Sequence, residues 1–424
     1  MQLTLYPERV QWSSLLQRPV QEPARLEKAI REVLTKVKAN GDEALRSFTR
    51  DFDGVDLTAL QVSEEEIETA NSLVSPALKQ AIETAKNNIE TFHSFQVIEE
   101  PVVAVMPGVK CWRRAVGIEK VGLYIPGGTA PLFSTVLMLG VPATLAGCKE
   151  IILCTPPQKD GSVHPAILFA AQLAGITKIF KVGGAQAIAA MAYGTETIPK
   201  VFKIFGPGNQ YVNGAKQLVQ AEQTAIDMPA GPSEVCVLAD DSANAAFIAA
   251  DLLSQAEHGP DSQVLLVTTS ADLASAVQKE IEQQVAFLPR EVFAQQSLSN
   301  SRAIVLQTMD EAIELVNQYA AEHLIIACNN EEEIGGEIIN AGSVFLGNYS
   351  PESAGDYASG TNHTLPTNGF AGAYSGVSVD SFVKKITYQQ LTKDGLRQLA
   401  PVIEEMAVAE GLEAHANAVR VRLK

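Results

Sequence analysis

Hydrophobic residues return along this chain with two different periods. From Glu22 to His93 the spacing is helical, with Leu78, Ile82, Ala85, Ile89 and Phe92 falling on one stripe, the repeat of an amphipathic helix. Ser63 and Glu66 form a capping box, and Ser75 before Pro76 is a cap followed by proline at the first helical position. A stripe of this kind needs a partner surface, so this N-terminal helical segment is expected to pack on a later domain.

After about residue 115 short apolar runs alternate with helical ones. Strands are expected at Val121–Ile125, Ile151–Cys154, Ile179–Val182 and Val201–Phe205, with alanine-rich helices between them. A second series follows at Val235–Ala239, Val264–Thr268, Ala303–Leu306, His323–Ala327 and Ser343–Leu346. Two successive strand-and-helix series imply an α/β protein with two doubly wound, Rossmann-like domains, each built on a mainly parallel buried sheet. The expected organisation is a helical segment over 1–114, a first α/β domain over 115–232, a second over 233–376 and a small helical tail over 377–424. The stretch from Gly347 to Gly376 lacks periodicity, and a loop that long in a compact protein is usually functional. In the tail, expected to return to helix from Ser381, Leu396, Leu399, Ile403, Met406 and Ala407 keep helical spacing. A piece that small cannot form its own core and must dock on something, a second subunit being one solution.

Composition narrows the classes. The formal net charge of −17 repels phosphate backbones and anionic membranes, so neither nucleic acid nor a membrane surface is an expected partner. The uncharged run from Val121 to Cys148 is broken by Pro126, Gly127, Gly128, Pro131 and Pro142, which suits a buried strand, turn and helix better than a membrane span. Five cysteines, an odd count with no C-x-x-C pair, are expected to be reduced core residues of a cytoplasmic protein, and the N-terminal residues show no signal-peptide pattern.

Four of the six histidines lie in short segments that also carry carboxylates or carboxamides. Gln255 and His258 are three apart at the end of a helical run closed by Gly259-Pro260, so both can point one way from the last turn. They suit a shared metal ion, which Asp356 and His415 would complete as a Gln, Asp, two-His set; a helix end carrying a C-terminal cation is the plainer alternative. Glu322-His323 opens an expected strand directly after a helix, at a sheet edge of the kind where open α/β folds bind ligands. The pair offers two bases suited to two proton removals, or simply a solvated Glu beside a hydrogen-bonded His. His93 and His164 are expected to be structural. Glycine-rich turns at Pro126-Gly127-Gly128-Thr129, Gly183-Gly184-Ala185-Gln186 and Gly206-Pro207-Gly208-Asn209 each follow a strand and precede a helix. Their amides can receive a pyrophosphate, but none matches G-x-G-x-x-G.

Longer stretches carry a resemblance. VGLYIPGG from Val121, VGGAQAIAA from Val182, FGPGN from Phe205, IDMPAGPSE from Ile226, LLSQAEHGPDSQ from Leu252, EHL from Glu322, SPESAGDYASGTNH from Ser350 and EGLEAHANAV from Glu410 are similar to the histidinol dehydrogenase family. The similarity covers nearly everything from residue 115 onward. It implies a zinc enzyme of histidine biosynthesis, with one Zn2+ per subunit, that oxidises L-histidinol through L-histidinal to L-histidine and consumes two NAD+. Carried onto this sequence, it implies zinc ligands Gln255, His258, Asp356 and His415, and substrate contacts from Ser233, His323 and Glu410 besides those ligands, with His363 nearby. NAD+ would be met by Tyr124, Gln186 and Asn209; His323 would be the base of both oxidations and Glu322 the activator of water. The family is a homodimer whose C-terminal helices reach the partner's site, which would carry Glu410 and His415 across the interface. Two rival chemistries are a zinc hydrolase, with Glu322 activating water and the glycine-rich turns purely structural, and a related dehydrogenase of another hydroxyl compound.

Overall fold

The computed structural model describes residues 1–19, 23–127, 130–222 and 224–424. Glu22, where the helical stretch was expected to begin, and Gly128 and Thr129 of the first glycine-rich turn lie outside them. In chain order, β1 (Gln2–Leu5), β2 (Val103–Met106) and β3 (Val109–Gly117) precede a first series: β4 (Lys120–Tyr124), β5 (Glu150–Thr155), β6 (Lys178–Lys181), β7 (Lys203–Phe205) and β8 (Ala225–Ile226). The second series is β9 (Glu234–Ala239), β10 (Gln263–Thr268), β11 (Arg302–Val305), β12 (His323–Ala327) and β13 (Ser343–Leu346), and β14 (Val383–Leu391) follows.

Each series forms one parallel sheet, and the two sheets share an order. The first runs β6-β5-β4-β7-β8 and the second β11-β10-β9-β12-β13, so each reverses direction between its first and fourth strands. That reversal is the switch point of a doubly wound fold. The strands are buried on both faces, as in β9 (EVCVLA) and β10 (QVLLVT), which explains why they stand out as continuous apolar runs. The uncharged run is β4 followed by the Phe133–Leu145 helix, whose residues from Ser134 to Ala143 are all buried. Among the described residues no helix is long and apolar enough to cross a membrane.

The N-terminal segment is divided between the two sheets. β1 extends the second sheet by pairing in parallel with β11, and Trp12 and Leu16 join that sheet's core. The Pro23–Phe48 helix, kinked at Gly41, packs on the first sheet. The Pro76–Ser94 helix buries Ile82, Ala85 and Ile89 against the same unit, with the expected caps at Ser63 and Ser75 in place, while Phe92 stays exposed.

Two expectations need correction. The segment before residue 115 is not wholly helical, since it contributes β1, β2 and most of β3. The tail does not return to helix at Ser381 either: β14 pairs antiparallel with β3, and only then do helices Lys393–Ala409 and Glu413–Leu423 follow. β14 is largely exposed and polar and β3 is only partly buried, so their pairing rests on backbone hydrogen bonds and cross-strand contacts such as Trp112 stacked on Tyr388. The five cysteines are free thiols.

The long loop positions the site between the two units. Its Asn362 donates to the carbonyl of Met138 (2.5 Å) and its His363 Nε2 meets Thr135 Oγ1 (3.0 Å), both on the Phe133–Leu145 helix of the first unit.

Candidate functional site

Four segments converge at the amino ends of β9 and β12. Glu322 immediately precedes β12 and His323 is its first residue; both are buried. Both are fixed by the backbone of one residue on the neighbouring strand: Glu234 N–H donates to Glu322 Oε2 (2.9 Å), and the Glu234 carbonyl faces His323 Nδ1 (3.3 Å). Glu234 is in turn clamped by Arg18, whose guanidinium donates to both carboxylate oxygens (2.5 and 2.9 Å), and by the N–H of Asn368 (2.7 Å). This end of the sheet corrects the sequence expectation. Open α/β sheets ordinarily bind at carboxyl ends, whereas Glu322-His323 stands at the amino edge.

Around His323 lie three carboxylates. Glu352 and Asp356 are four apart on the short Glu352–Tyr357 helix, which sets both on one face. Glu352 Oε1 is 3.6 Å from Nδ1, Glu322 Oε2 is 3.8 Å from Nδ1, and Asp356 Oδ1 is 3.5 Å from Nε2. Gln255, in the last turn of the Ala245–Ala256 helix, donates its amide to Glu352 Oε1 and accepts from Glu234 N–H (3.2 Å) in the orientation that satisfies its surroundings. Among the described residues, the buried His323 Nε2 and Glu352 Oε2 meet no hydrogen-bond partner, Asp356 Oδ1 standing near Nε2 without forming one.

Burial and crowding govern the charges. Burial pushes Glu322 up to about 8, against the pull of His323, and drives Glu352 well above the usual carboxylate range. For His323 burial works downward, but Glu352, Glu322 and Asp356 outweigh it and hold the ring up at about 10. Burial would also raise Asp356, yet His323 holds it below its ordinary value. Asp251, one turn before Gln255, is pushed up to about 7 by burial. One imidazole therefore faces a surplus of carboxylates, an arrangement that invites a cation. His323, Glu352 and Asp356 each place a donor atom within 4.8 Å of the others'. His258 follows the helix end; the protein around its ring lowers its pKa by desolvation, and Asp356 opposes that. His363 is held at both nitrogens, its Nδ1 by the Asp356 carbonyl (2.8 Å). Ser233 sits just before β9, its carbonyl accepting from Gln263 N–H (3.2 Å).

A second site opens at the carboxyl ends of the first sheet, as a cleft of about 1070 Å³ lined by Tyr124, Gln186 and Asn209 together with Phe48, Asp53 and His164. Tyr124 ends β4, and its hydroxyl accepts from Gly184 N–H (3.0 Å) at the start of the Gly184–Tyr193 helix. Asn209 caps the next helix, accepting from Tyr211 and Val212 N–H (3.0 and 3.2 Å). Gly206 holds φ +130°, and a Cβ there would stand 2.1 Å from the Tyr124 carbonyl oxygen, so only glycine fits. His164, expected to be purely structural, caps the Pro165–Leu173 helix and also forms part of this wall. His93 is buried with Nδ1 against Gln96 (2.9 Å), as a structural role requires.

Known proteins match the chain over its whole length. The family model described as histidinol dehydrogenase matches residues 16–423. The chain belongs to the histidinol dehydrogenase family. Histidinol dehydrogenase of Bacteroides thetaiotaomicron is 62% identical over 423 residues, covering 100% of this chain and 99% of its own. That of Escherichia coli K12 is 52% identical over 416 residues, covering 97% of this chain and 95% of its own. The crystal structure of histidinol dehydrogenase from Elizabethkingia anophelis matches with a TM-score of 0.97 at 56% identity, covering 100% of this chain and 98% of that one.

In this member of the histidinol dehydrogenase family, the fold brings Gln255, Glu322, His323, Asp356 and His363 together, with Ser233 and His258 alongside. It gathers Tyr124, Gln186 and Asn209 into the separate cleft. Glu410 and His415 join neither group: both are exposed on the tail, and among the described residues neither side chain makes a hydrogen bond or ion pair with the cluster. Sequence reasoning missed Glu352, Glu234 and Arg18. The four-residue spacing of Glu352 and Asp356 was a usable signal for the first; nothing in the sequence linked Arg18 to Glu234.

Proposed function

We propose that the protein oxidises L-histidinol through L-histidinal to L-histidine, using NAD+ at the first sheet's cleft and Zn2+ at the carboxylate cluster, in the cytoplasm as a step of histidine biosynthesis. The observation that carries the reading is the buried Glu322-His323 pair facing carboxylates in excess of cations, in a chain of this family. The donors suit the metal: an amide oxygen, a carboxylate and imidazoles are borderline-hard ligands, and the cluster has a deficit of positive charge. Gln255, His258 and Asp356 would hold the ion from this chain. When bound, Zn2+ supplies a Lewis-acidic grip on substrate nitrogen, and NAD+ supplies the hydride acceptor, two equivalents per histidinol.

The chain's own residues do the proton work. With Nδ1 turned toward the Glu234 carbonyl, Nε2 of His323, which faces Asp356 Oδ1 at 3.5 Å, would take the alcohol proton as hydride leaves carbon. Glu322 takes a proton from the water that adds across the aldehyde. His323 Nε2 then takes the hydrate's proton as the second hydride leaves. The balance is one alcohol, one water and two NAD+ giving one carboxylate, two NADH and three protons. A cation at Asp356 would weaken the negative field that keeps His323 protonated and so free it as a base.

Glu410 and His415 would come from the tail of a second copy, making the enzyme a homodimer. Supporting this, Val402, Met406, Val408 and Leu412 leave an apolar tail surface exposed in the single chain. NADH formation from histidinol by metal-replete protein, lost on chelation and regained with Zn2+, tests the activity; no NADH, with turnover of an amide or ester instead, would make it a hydrolase. A mixed dimer tests the shared site: inactive His323→Asn and inactive His415→Ala chains reassembled together should regain activity. Confirmed heterodimers without activity would overturn it.

A further inference from the structure

Arg18 is remote in sequence from every expected site residue, yet its guanidinium touches both segments that carry the buried pair. Nε and one terminal nitrogen donate to the two carboxylate oxygens of Glu234 (2.5 and 2.9 Å), and the same terminal nitrogen donates to the Tyr319 carbonyl (2.7 Å). The guanidinium also lies over the Tyr319 ring, 4.2 Å from its centroid. Tyr319 ends the Met309–Tyr319 helix, and Ala320, in the left-handed region at φ +53°, turns the chain into Glu322 and His323.

The bridge falls at the edge of the sheet. The β9–β12 register begins with His323 opposite Val235, so Glu234 lies one residue outside it, and its N–H donates to the Glu322 side chain. Its carbonyl faces His323 Nδ1. A shift of this one peptide would therefore move the partners of both side chains. A buried ion pair is a weak source of stability, since apolar side chains of similar volume often serve as well. What a guanidinium adds is a planar fork that fixes its acceptors in direction as well as distance. We propose that Arg18 is a positioning residue: by bridging the Glu234 carboxylate and the Tyr319 carbonyl, it sets the spacing between the start of β9 and the segment entering β12, and so the placement of Glu322 and His323.

The inference rests on the proposed roles of Glu322 and His323, so its test reads positions as well as rates. In Zn2+-saturated Arg18→Met, which keeps the stem and removes the fork, kcat should fall by about 10- to 10²-fold with histidinol and histidinal alike, while KM for histidinol and dinucleotide affinity stay near wild type. Arg18→Lys, which offers a point charge in place of a fork, should fall in between. Crystal structures of wild type and Arg18→Met should show Glu322 and His323 displaced by about 0.5 Å or more, with the β9–β12 register from Val235 onward unchanged. Leu16→Ala controls for stability, because it loosens the core beneath the same arm without removing the fork. It should melt lower and keep its kcat at temperatures where it is folded. Unchanged kcat in Arg18→Met, a loss restored by further Zn2+, an equal loss in Leu16→Ala, or Glu322 and His323 in their wild-type positions would each overturn the proposal. Should Arg18→Met fail to fold, Arg18→Lys carries the same measurements, and unaltered kcat and positions there overturn it as well. Wild-type protein inactive on histidinol would sink the functional reading alone, because the structural comparison still judges Arg18.

Discussion

The two parallel sheets have the same strand order but are used at opposite ends. In the first, the carboxyl ends open into a cleft: Gly206 lets the chain pass against the Tyr124 carbonyl, and the helix starts at Gly184 and Asn209 line it. In the second, the corresponding ends of β9 and β12 are tied together by Asp240. Asp240 accepts there from Asn329 N–H (3.0 Å) and Ser242 N–H (2.9 Å), bridging the ends of both strands. Its amino ends carry the buried polar cluster instead, where Glu234, Glu322 and His323 adjoin. Topology creates a switch point in each sheet, and the residues after the strands decide whether it stays open. One end offers neutral amides suited to a phosphate-bearing ligand, the other buried carboxylates suited to a cation.

If the two sites divide the labour in this way, damage to one should leave the other's binding intact. The largest effect is expected from His323→Asn, which should lower kcat by ~10²–10⁴-fold while dinucleotide affinity, measured by titration calorimetry, is unchanged. Glu322→Gln should spare alcohol oxidation more than aldehyde oxidation, because it acts at hydration. Equal losses on histidinol and histidinal would erase the distinction between the two residues.

Gly206→Ala probes the other side. A methyl 2.1 Å from the Tyr124 carbonyl oxygen forces the turn apart, and strain of this kind costs about 1–3 kcal/mol. Dinucleotide affinity should drop by about tenfold or more, with metal content by elemental analysis at the wild-type level. Loss of metal as well would mean that the two sites are one mechanical unit.

A smaller effect concerns stability. Glu322 has its folded pKa raised to about 8 by burial, against about 4.3 for an unfolded glutamate. A raised carboxyl holds its proton better when folded, so its contribution is fully favourable below the unfolded value and is lost as pH rises toward about 8. Metal-free Glu322→Gln, which keeps the acceptor for Glu234 N–H, should therefore melt a few degrees above metal-free wild type at neutral pH and lose that advantage in acid. A variant that melts lower throughout would show that the cluster is not under electrostatic strain.

The same contrast explains what the sequence revealed. The parallel strands were legible because burial on both faces writes them as unbroken apolar runs, and β12 and β13 have the expected bounds. β1 has only four residues, β3 mixes apolar and basic residues without burying one face, and β14 is mostly exposed, KKITYQQL at its end, so no alternation marks them. Histidines and their neighbouring acids announced the polar site by rarity. Glu352 resembled an ordinary helix-start acid, and the Arg18–Glu234 clamp joins positions 216 apart, beyond any local pattern. The amino-end placement was not legible either, because spacing along the chain does not tell at which end of a sheet separate segments will meet.

The mildest test lies at the first cleft. Tyr124→Phe removes only the hydroxyl that accepts from Gly184 N–H at 3.0 Å, a neutral hydrogen bond contributing about 1 kcal/mol. Burial pushes the Tyr124 phenol up to about 12, so it stays protonated through the neutral range and adds no inflection to the pH dependence of binding. Dinucleotide affinity should weaken by less than about tenfold, equally at acid and neutral pH, with kcat at saturating dinucleotide and the ratio of histidinol to histidinal turnover unchanged. A fall in kcat at saturation would place Tyr124 in the chemistry of the second sheet's site, and the separation between a binding end and a reacting end would have to be given up.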